Sequence, residues 1–174
     1  MTSLQNLQYI SPSGDSANNK IVNDAGEYPI YQQSFIPAGT FNGTIQAFKV
    51  SQMGRWKNNS GGNRTFTFRV YVNENGAADN KIAEVVLTKS VNANEKLFTL
   101  DANVSINNAA PSALVDLNIN MDGTWSMTPG ASSTLTGWNP ATEQLQVKIT
   151  VQMSAANANL WIGTDGSLTT GCFS

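Results

Sequence analysis

The chain has 174 residues, enough for one domain with a sizeable core, and its 10 basic and 12 acidic residues give a net charge of −2. Only 13% of the residues are charged, which excludes general electrostatic attraction to a polyanion. There is no histidine and a single cysteine, Cys172. A Ser-His-Asp or Cys-His catalytic arrangement, an internal disulfide and a typical zinc site are therefore excluded within one chain.

Residues 1–26 are polar, contain Ser-Pro and Ser-Gly, and show no sustained hydrophobic period. We interpret them as an extended N-terminal arm of the kind that becomes ordered on a partner. The segment has neither the basic nor the apolar stretch of a secretory signal, and the chain has no apolar run as long as a membrane span. We therefore expect a protein that is made in a cytoplasm and does not enter a membrane.

From residue 27 onward the sequence favours strands and turns. It contains 21 Asn, 16 Ser and 16 Thr, and Asn and Ser favour turns whereas Thr favours strands. Three segments alternate apolar and polar residues with the period of a half-buried strand. Their predicted inward residues are Phe66, Phe68, Val70 and Val72; Ala113, Val115, Leu117, Ile119 and Met121; and Leu145, Val147, Ile149, Val151 and Met153.

Weaker strand patterns fill the remainder of the domain, with Pro-, Gly- and Asn-rich loops between them. Eight or nine strands without intervening helices predict an all-β, antiparallel two-sheet β-sandwich of the jelly-roll type over residues 27–174. Residues 44–53 and 64–72 are expected to pair as a hairpin through the loop "GRWKNNSGGN". The other weak strands are predicted at 28–36, 81–88, 95–100, 123–128 and 159–163.

Cations and aromatic residues are concentrated around this predicted hairpin. A phosphate cradle is disfavoured because the Gly-rich segment is followed by a strand and lacks the P-loop spacing. A nucleic-acid patch of Arg55, Trp56, Lys57, Arg64 and Arg69, a solvated hairpin and ion pairs with a neighbouring subunit stay open as interpretations. Trp161 is expected in the core, whereas a contact surface for protein or glycan is predicted at Arg55, Trp56, Lys57, Arg64 and Trp138.

No metal or cofactor site is predicted. "DLNINMDG" (Asp116 to Gly123) imitates the start of a calcium loop, but its sixth residue is Met121 where such a loop needs glycine. Its period is that of a strand, so its polar residues are expected on an outer face. The acidic residues form no recognisable catalytic pair.

Residues 35–73, "FIPAGTFNGTIQAFKVSQMGRWKNNSGGNRTFTFRVYVN", carry a resemblance to a known class of proteins. An "IPAGT" opening, a long strand, a Gly/Asn turn and a "T-x-x-x-R-V"-like strand make this stretch similar to jelly-roll structural proteins of tailed bacteriophages. The resemblance implies a virion structural protein and supplies no catalytic residues. Its location would be the capsid or tail surface, after synthesis in the host cytoplasm.

The leading hypothesis is a non-enzymatic capsid decoration or cement protein that stabilises the shell through subunit contacts. It would assemble as a homotrimer, bind the major capsid protein or other virion proteins, and need no cofactor, specific nucleic acid or membrane. The alternative is a tail or fibre receptor-binding domain that recognises host surface glycan through Trp56, Trp138 and the Asn-rich loops. A carbohydrate-active enzyme is a third, weaker hypothesis.

Overall fold

The computed structural model describes residues 2–6, 20–32, 39, 45–74, 78–107, 109–135, 138–139 and 141–173. Within these ranges every regular element is a strand, and no helix is long and apolar enough to cross a membrane. The strands are β1 (Thr2–Asn6), β2 (Lys20–Val22), β3 (Glu27–Gln32), β4 (Ile45–Asn58), β5 (Arg64–Glu74), β6 (Asn80–Lys89), β7 (Asn92–Asn107), β8 (Ser112–Met121), β9 (Thr124–Thr134), β10 (Leu145–Met153) and β11 (Leu160–Phe173).

The strands form two antiparallel sheets. The larger sheet has the order β1-β11-β4-β7-β8-β9, with β2 also pairing with β11, and the smaller sheet has the order β3-β10-β5-β6. Eight of the strands, β2 to β7 with β10 and β11, divide four and four between the sheets, and most of their connections pass from one sheet to the other. This is the strand order of a jelly roll. The β8–β9 hairpin is an addition that widens the larger sheet.

The core lies between the sheets and is built from the alternating residues of both inner faces. All fourteen residues predicted to point inward from β5, β8 and β10 are 0–1% exposed, which confirms these assignments. The other face of β10 departs from expectation, since Gln146 and Thr150 are also buried. They are covered because β10 lies between β3 and β5, where Gln32 donates to Gln146 and Thr150 donates to Glu27.

The predicted hairpin between residues 44–53 and 64–72 is wrong. β4 pairs with β7 and β11 in the larger sheet, whereas β5 pairs with β6 and β10 in the smaller one. β4 continues to Asn58, and residues 59–63 form an arch from one sheet to the other. The fully buried Asn58 closes this arch, because its Nδ2 donates to the carbonyl oxygens of Gly62 and Lys89, each at 3.0 Å.

Gly54 marks a close approach of β4 to its neighbours β7 and β11 in the larger sheet. A Cβ at this position would lie 2.1 Å from the carbonyl oxygen of Gly163 and 2.5 Å from Cε1 of Phe98, so only glycine fits. The tight contact lets the Phe98 ring pack inward, with its centroid 5.9 Å from that of Phe68. The inner faces of the two sheets therefore meet at this point, with aromatic rings from both.

Two short strands come from the segment predicted to be an N-terminal arm. Both β1 and β2 pair antiparallel with β11 at the edge of the larger sheet, and Ile21 in β2 is part of the core. Residues 7–19, between these strands, lie outside the described ranges. The role of the arm on a partner stays a prediction.

Candidate functional site

The two tryptophans predicted to form a contact surface lie in the core. Trp56 is 2% exposed, packs edge-on against Phe66 at 5.6 Å, and donates from Nε1 to the Leu97 carbonyl oxygen. Trp138 is 3% exposed. Trp56 points inward because residues 54–58, which the predicted hairpin placed in its loop, continue strand β4. These two rings therefore form no platform on the surface of the subunit. Trp161 is 7% exposed, which confirms its predicted burial.

The predicted cationic patch is divided between different surfaces. Arg55 lies on the outer face of the larger sheet, where it pairs with Asp165 at 3.1 Å and Glu95 at 3.2 Å. Lys57 follows on the same strand and is half-buried, and Arg64 at the start of β5 donates to the Asn63 carbonyl oxygen. Arg69 belongs to the outer face of the smaller sheet. The structure therefore brings Arg55 and Lys57 together and separates both from Arg69.

Four large apolar side chains on the outer face of the larger sheet are more than half exposed. We call them the rim. They belong to three strands, and between 58% and 67% of each side chain is exposed to solvent. The rim consists of Met53 on β4, Leu97 on β7, and Trp125 and Met127 on β9.

The rim surrounds shorter polar side chains, Thr99, Asn118 and Asn120, which we call the floor. Strand register places them together, since Thr99 is paired with Met53 and Asn120, while Asn120 is paired with Trp125 and Asn118 with Met127. Part of the floor is an open depression of about 200 Å³ lined by Leu97, Thr99, Asn120 and the β8–β9 turn. The outer face therefore offers hydroxyl and amide groups between apolar side chains.

The β8–β9 turn fixes one of the floor amides. Asp122 and Gly123 both adopt positive φ, at 50° and 78°, which suits the two central residues of a tight hairpin turn. The Asn120 Oδ1 accepts a hydrogen bond from the Gly123 backbone N–H at 2.9 Å. With the oxygen engaged, the Asn120 Nδ2 supplies the amide's two N–H donors.

Charged residues lie at the border of the floor and neutralise one another. Lys49 pairs with Asp101 at 3.1 Å, and Lys96 pairs with Asp122 at 3.3 Å. Asp101 also accepts a hydrogen bond from Ser51 at 2.7 Å. The cations at this border are therefore already engaged with carboxylates of the same chain.

The outer face of the smaller sheet is organised around Arg69, whose side chain is only 17% exposed. Its guanidinium contacts Glu27 at 2.7 Å, Glu84 at 2.6 Å and the Gln152 Oε1 at 2.9 Å. Lys148 pairs with Asp79 and lies over the ring of Tyr71 on the same face. Here the polar groups bind each other.

This network shifts the pKa values of its members. Burial alone would raise the pKa of Glu27, but hydrogen bonds from Thr150 and Tyr71 and the charge of Arg69 outweigh it and hold the pKa below its usual range. Hydrogen bonds from Arg69 and Lys81 lower the pKa of Glu84. Burial and the hydrogen bond to Glu27 raise the pKa of Tyr71 to about 12. Near neutral pH both carboxylates are ionised and the phenol is neutral.

The polar residues of the calcium-like segment line β8, as expected. Asp116, Asn118 and Asn120 alternate with fully buried residues, and the Asp116 Oδ1 accepts a hydrogen bond from the Gly130 N–H at 2.6 Å. Within the described ranges no group of three or more His, Cys, Asp or Glu residues is arranged to hold a metal ion.

Sequence reasoning missed the exposed aromatic of the outer face. Trp125 and Met127 alternate with Thr124, Ser126 and Thr128, a pattern in which the apolar residues would ordinarily face the core. In β9 they face solvent instead, because the register with β8 pairs Trp125 with Asn120 and Met127 with Asn118 on the outer face. The available signal was the close spacing of a tryptophan, a methionine and the amides of the preceding strand.

Comparison with known proteins gives distant structural similarities. No protein-family model matches the sequence, and no curated protein matches it. A metal-free lectin I-B4 from Griffonia simplicifolia is 11% identical, with a TM-score of 0.35 and coverage of 84% of this chain and 80% of the lectin. The CBM2 module of the evolved Dit of Lactobacillus casei BL23 phage J-1 is 11% identical, with a TM-score of 0.32 and coverage of 83% and 68%. Lectin II from Ulex europaeus is 10% identical, with a TM-score of 0.35 and 98% coverage of both chains.

Proposed function

We propose that this chain is a non-enzymatic binding protein of a bacteriophage particle, and that the outer face of its larger sheet binds a glycan of the host surface. The observation that carries the glycan assignment is the exposed Trp125 ring beside the floor amides. The assignment to a virion rests on the sequence resemblance of residues 35–73.

Sugar rings fit this arrangement of groups. A pyranose presents an apolar face of C–H groups and a periphery of hydroxyls that both donate and accept hydrogen bonds. An indole ring offers a large rigid surface for the C–H face, while amides and hydroxyls meet the periphery. Trp125 and the floor supply both kinds of group within one strand spacing.

A contact with another virion protein is a second candidate function, and the composition of the rim favours it. Two methionines, a leucine and a tryptophan exposed together are typical of adaptable protein interfaces. In this case the chain would act as a capsid decoration protein, assembled as a trimer, and the rim would be buried against the shell or a neighbouring subunit.

Binding assays on wild type and Trp125→Ala test the glycan candidate. We expect wild-type protein to adsorb to host cells and bind immobilised cell-envelope glycans, and Trp125→Ala to lose at least about tenfold in affinity with an unchanged melting temperature. Val86→Ala is the matched control, because Val86 is 51% exposed on the smaller sheet. It should bind like wild type.

Cosedimentation with purified capsids tests the decoration candidate. Binding to capsids with no binding to cells or glycans would overturn the glycan proposal and support decoration. Turnover of any bound polysaccharide, detected as new reducing ends, would contradict the non-enzymatic assignment.

A further inference from the structure

Resting on the proposed function, we infer that the glycan is an uncharged chain at least about three rings long, which lies across strands β4, β7, β8 and β9. The inference concerns the length, direction and charge of the ligand. It is carried by one row of cross-strand partners and by the ion pairs beside that row.

The row gives the length and direction. Met53, Thr99, Asn120 and Trp125 are successive partners across four strands, and all four point to the same outer face. Neighbouring strands are about 4.8 Å apart, so the three intervals span about 14 Å, roughly the length of three pyranose rings. A ligand that contacts both Trp125 and Met53 must therefore be a chain rather than a single sugar.

The chemistry of the row also favours a chain of several sugar rings. Its two ends are apolar and exposed, while its two middle members are a hydroxyl and an amide. A chain lying on this row would place the apolar face of one ring on Trp125 and a distant ring against Met53. The rings between them would present hydroxyls to Thr99 and Asn120.

The border of the face disfavours an anionic chain. The cations Lys49, Lys96 and Arg55 are each within 3.3 Å of a carboxylate, so their charge is already balanced within the chain and would attract an acidic sugar only weakly. Asp116 adds negative charge beside the floor, whereas Asp101 and Asp122 are balanced by Lys49 and Lys96. A neutral chain meets no such opposition.

Affinity electrophoresis tests the charge of the ligand. Native gels would contain neutral polymers (β-glucan, mannan, galactan) or acidic ones (polygalacturonate, polysialic acid, teichoic acid), and we expect retardation by at least one neutral polymer. Retardation by acidic polymers alone would overturn the inference and leave the proposed function standing. Retardation by none of the six would overturn the inference, and if adsorption to host cells is absent as well, the proposed function is overturned with it.

Size-graded fragments of the retaining polymer, one to six rings long, then test the length by calorimetric titration. We expect affinity to rise about tenfold or more from one ring to three and to level off beyond roughly four. Met53→Ala should weaken binding of three-ring and longer fragments about threefold or more and leave one- and two-ring fragments unaffected. Trp125→Ala should weaken all lengths, and Val86→Ala none. Equal affinity for one ring and six rings would overturn the inference while preserving glycan binding.

Discussion

The polar groups on the two outer faces of the sandwich are arranged in opposite ways. On the smaller sheet, Arg69 is surrounded by Glu27, Glu84 and Gln152, so its donors and their acceptors are engaged with each other. On the larger sheet, the floor is uncharged and stands between exposed apolar side chains such as Trp125 and Leu97. The polar groups of the first face are hydrogen-bonded to one another within the chain. Those of the second face lie between exposed apolar side chains, where another molecule can reach them.

Both faces depend on the same interior, so a variant that disturbs the core should damage both at once. Gly54→Ala has the largest expected effect, because its Cβ would fall 2.1 Å from a backbone oxygen. We expect a loss of about 3 kcal/mol or more in the free energy of unfolding, or failure to fold. Gly62→Ala is the control, since only the mobile end of Arg64 lies near that position. Urea unfolding measures both, and equal stabilities would contradict the close approach at Gly54.

Charge removal should affect the two faces unequally. Arg69→Met leaves Glu27 and Glu84 without their shared cation, and we expect it to lower the free energy of unfolding by about 1–2 kcal/mol. Lys49→Met breaks the Lys49–Asp101 pair, in which both side chains are more than 40% exposed, and should cost about 0.5 kcal/mol or less. Neither variant should change glycan affinity as much as Trp125→Ala. A larger loss for Lys49→Met than for Arg69→Met would reverse the comparison.

Acid should weaken the protein through the smaller-sheet face. The pKa values of Glu27 and Glu84 lie below their usual 4.5, so their contribution to stability is complete above that pH. It is lost as the pH falls from 4.5 through the lowered values, because the unfolded chain then binds more protons than the folded one. Chemical unfolding at pH 6, 4.5 and 3 measures the decline. Arg69→Met should make the free energy of unfolding depend less on pH in this range. An unchanged pH dependence would show that the acid sensitivity arises elsewhere.

Hydrogen peroxide should oxidise the methionines on the outer face of the larger sheet with little effect on stability. An oxygen atom passes from peroxide to the thioether sulfur and water is released, which makes the side chain polar. Met53 and Met127 are 58% and 60% exposed, whereas Met121 and Met153 are 0–1% exposed. Mass spectrometry of peptides should find the first two oxidised early and the other two protected. The melting temperature should barely move, while rapid oxidation of Met121 would indicate that the hairpin opens.

The sequence predicted the parts of the fold that depend on local alternation. The faces of β5, β8 and β10 follow from a period of two, and the strands β3 to β11 each correspond to a predicted segment. Pairing could not be predicted in the same way. A turn rich in Gly and Asn serves equally well for a hairpin or for the arch at residues 59–63, and only the buried Asn58 favours the arch.

The candidate site was harder to predict for the same reason. Trp56 and Trp125 both occur in alternating segments, and nothing local states that one ring faces the core and the other faces solvent. The distinction depends on strand register, which pairs distant residues such as Asn120 with Trp125 and Thr99 on one face.

The alternation along β8 makes the protein a natural scaffold for directed evolution. Its inward residues are fixed by packing, while positions 118 and 120 on β8, 125 and 127 on β9, and 99 on β7 together form one continuous outward surface. A combinatorial library at these five positions would leave the buried half of each strand unaltered. Specificity could then be reassigned on a framework that keeps its fold.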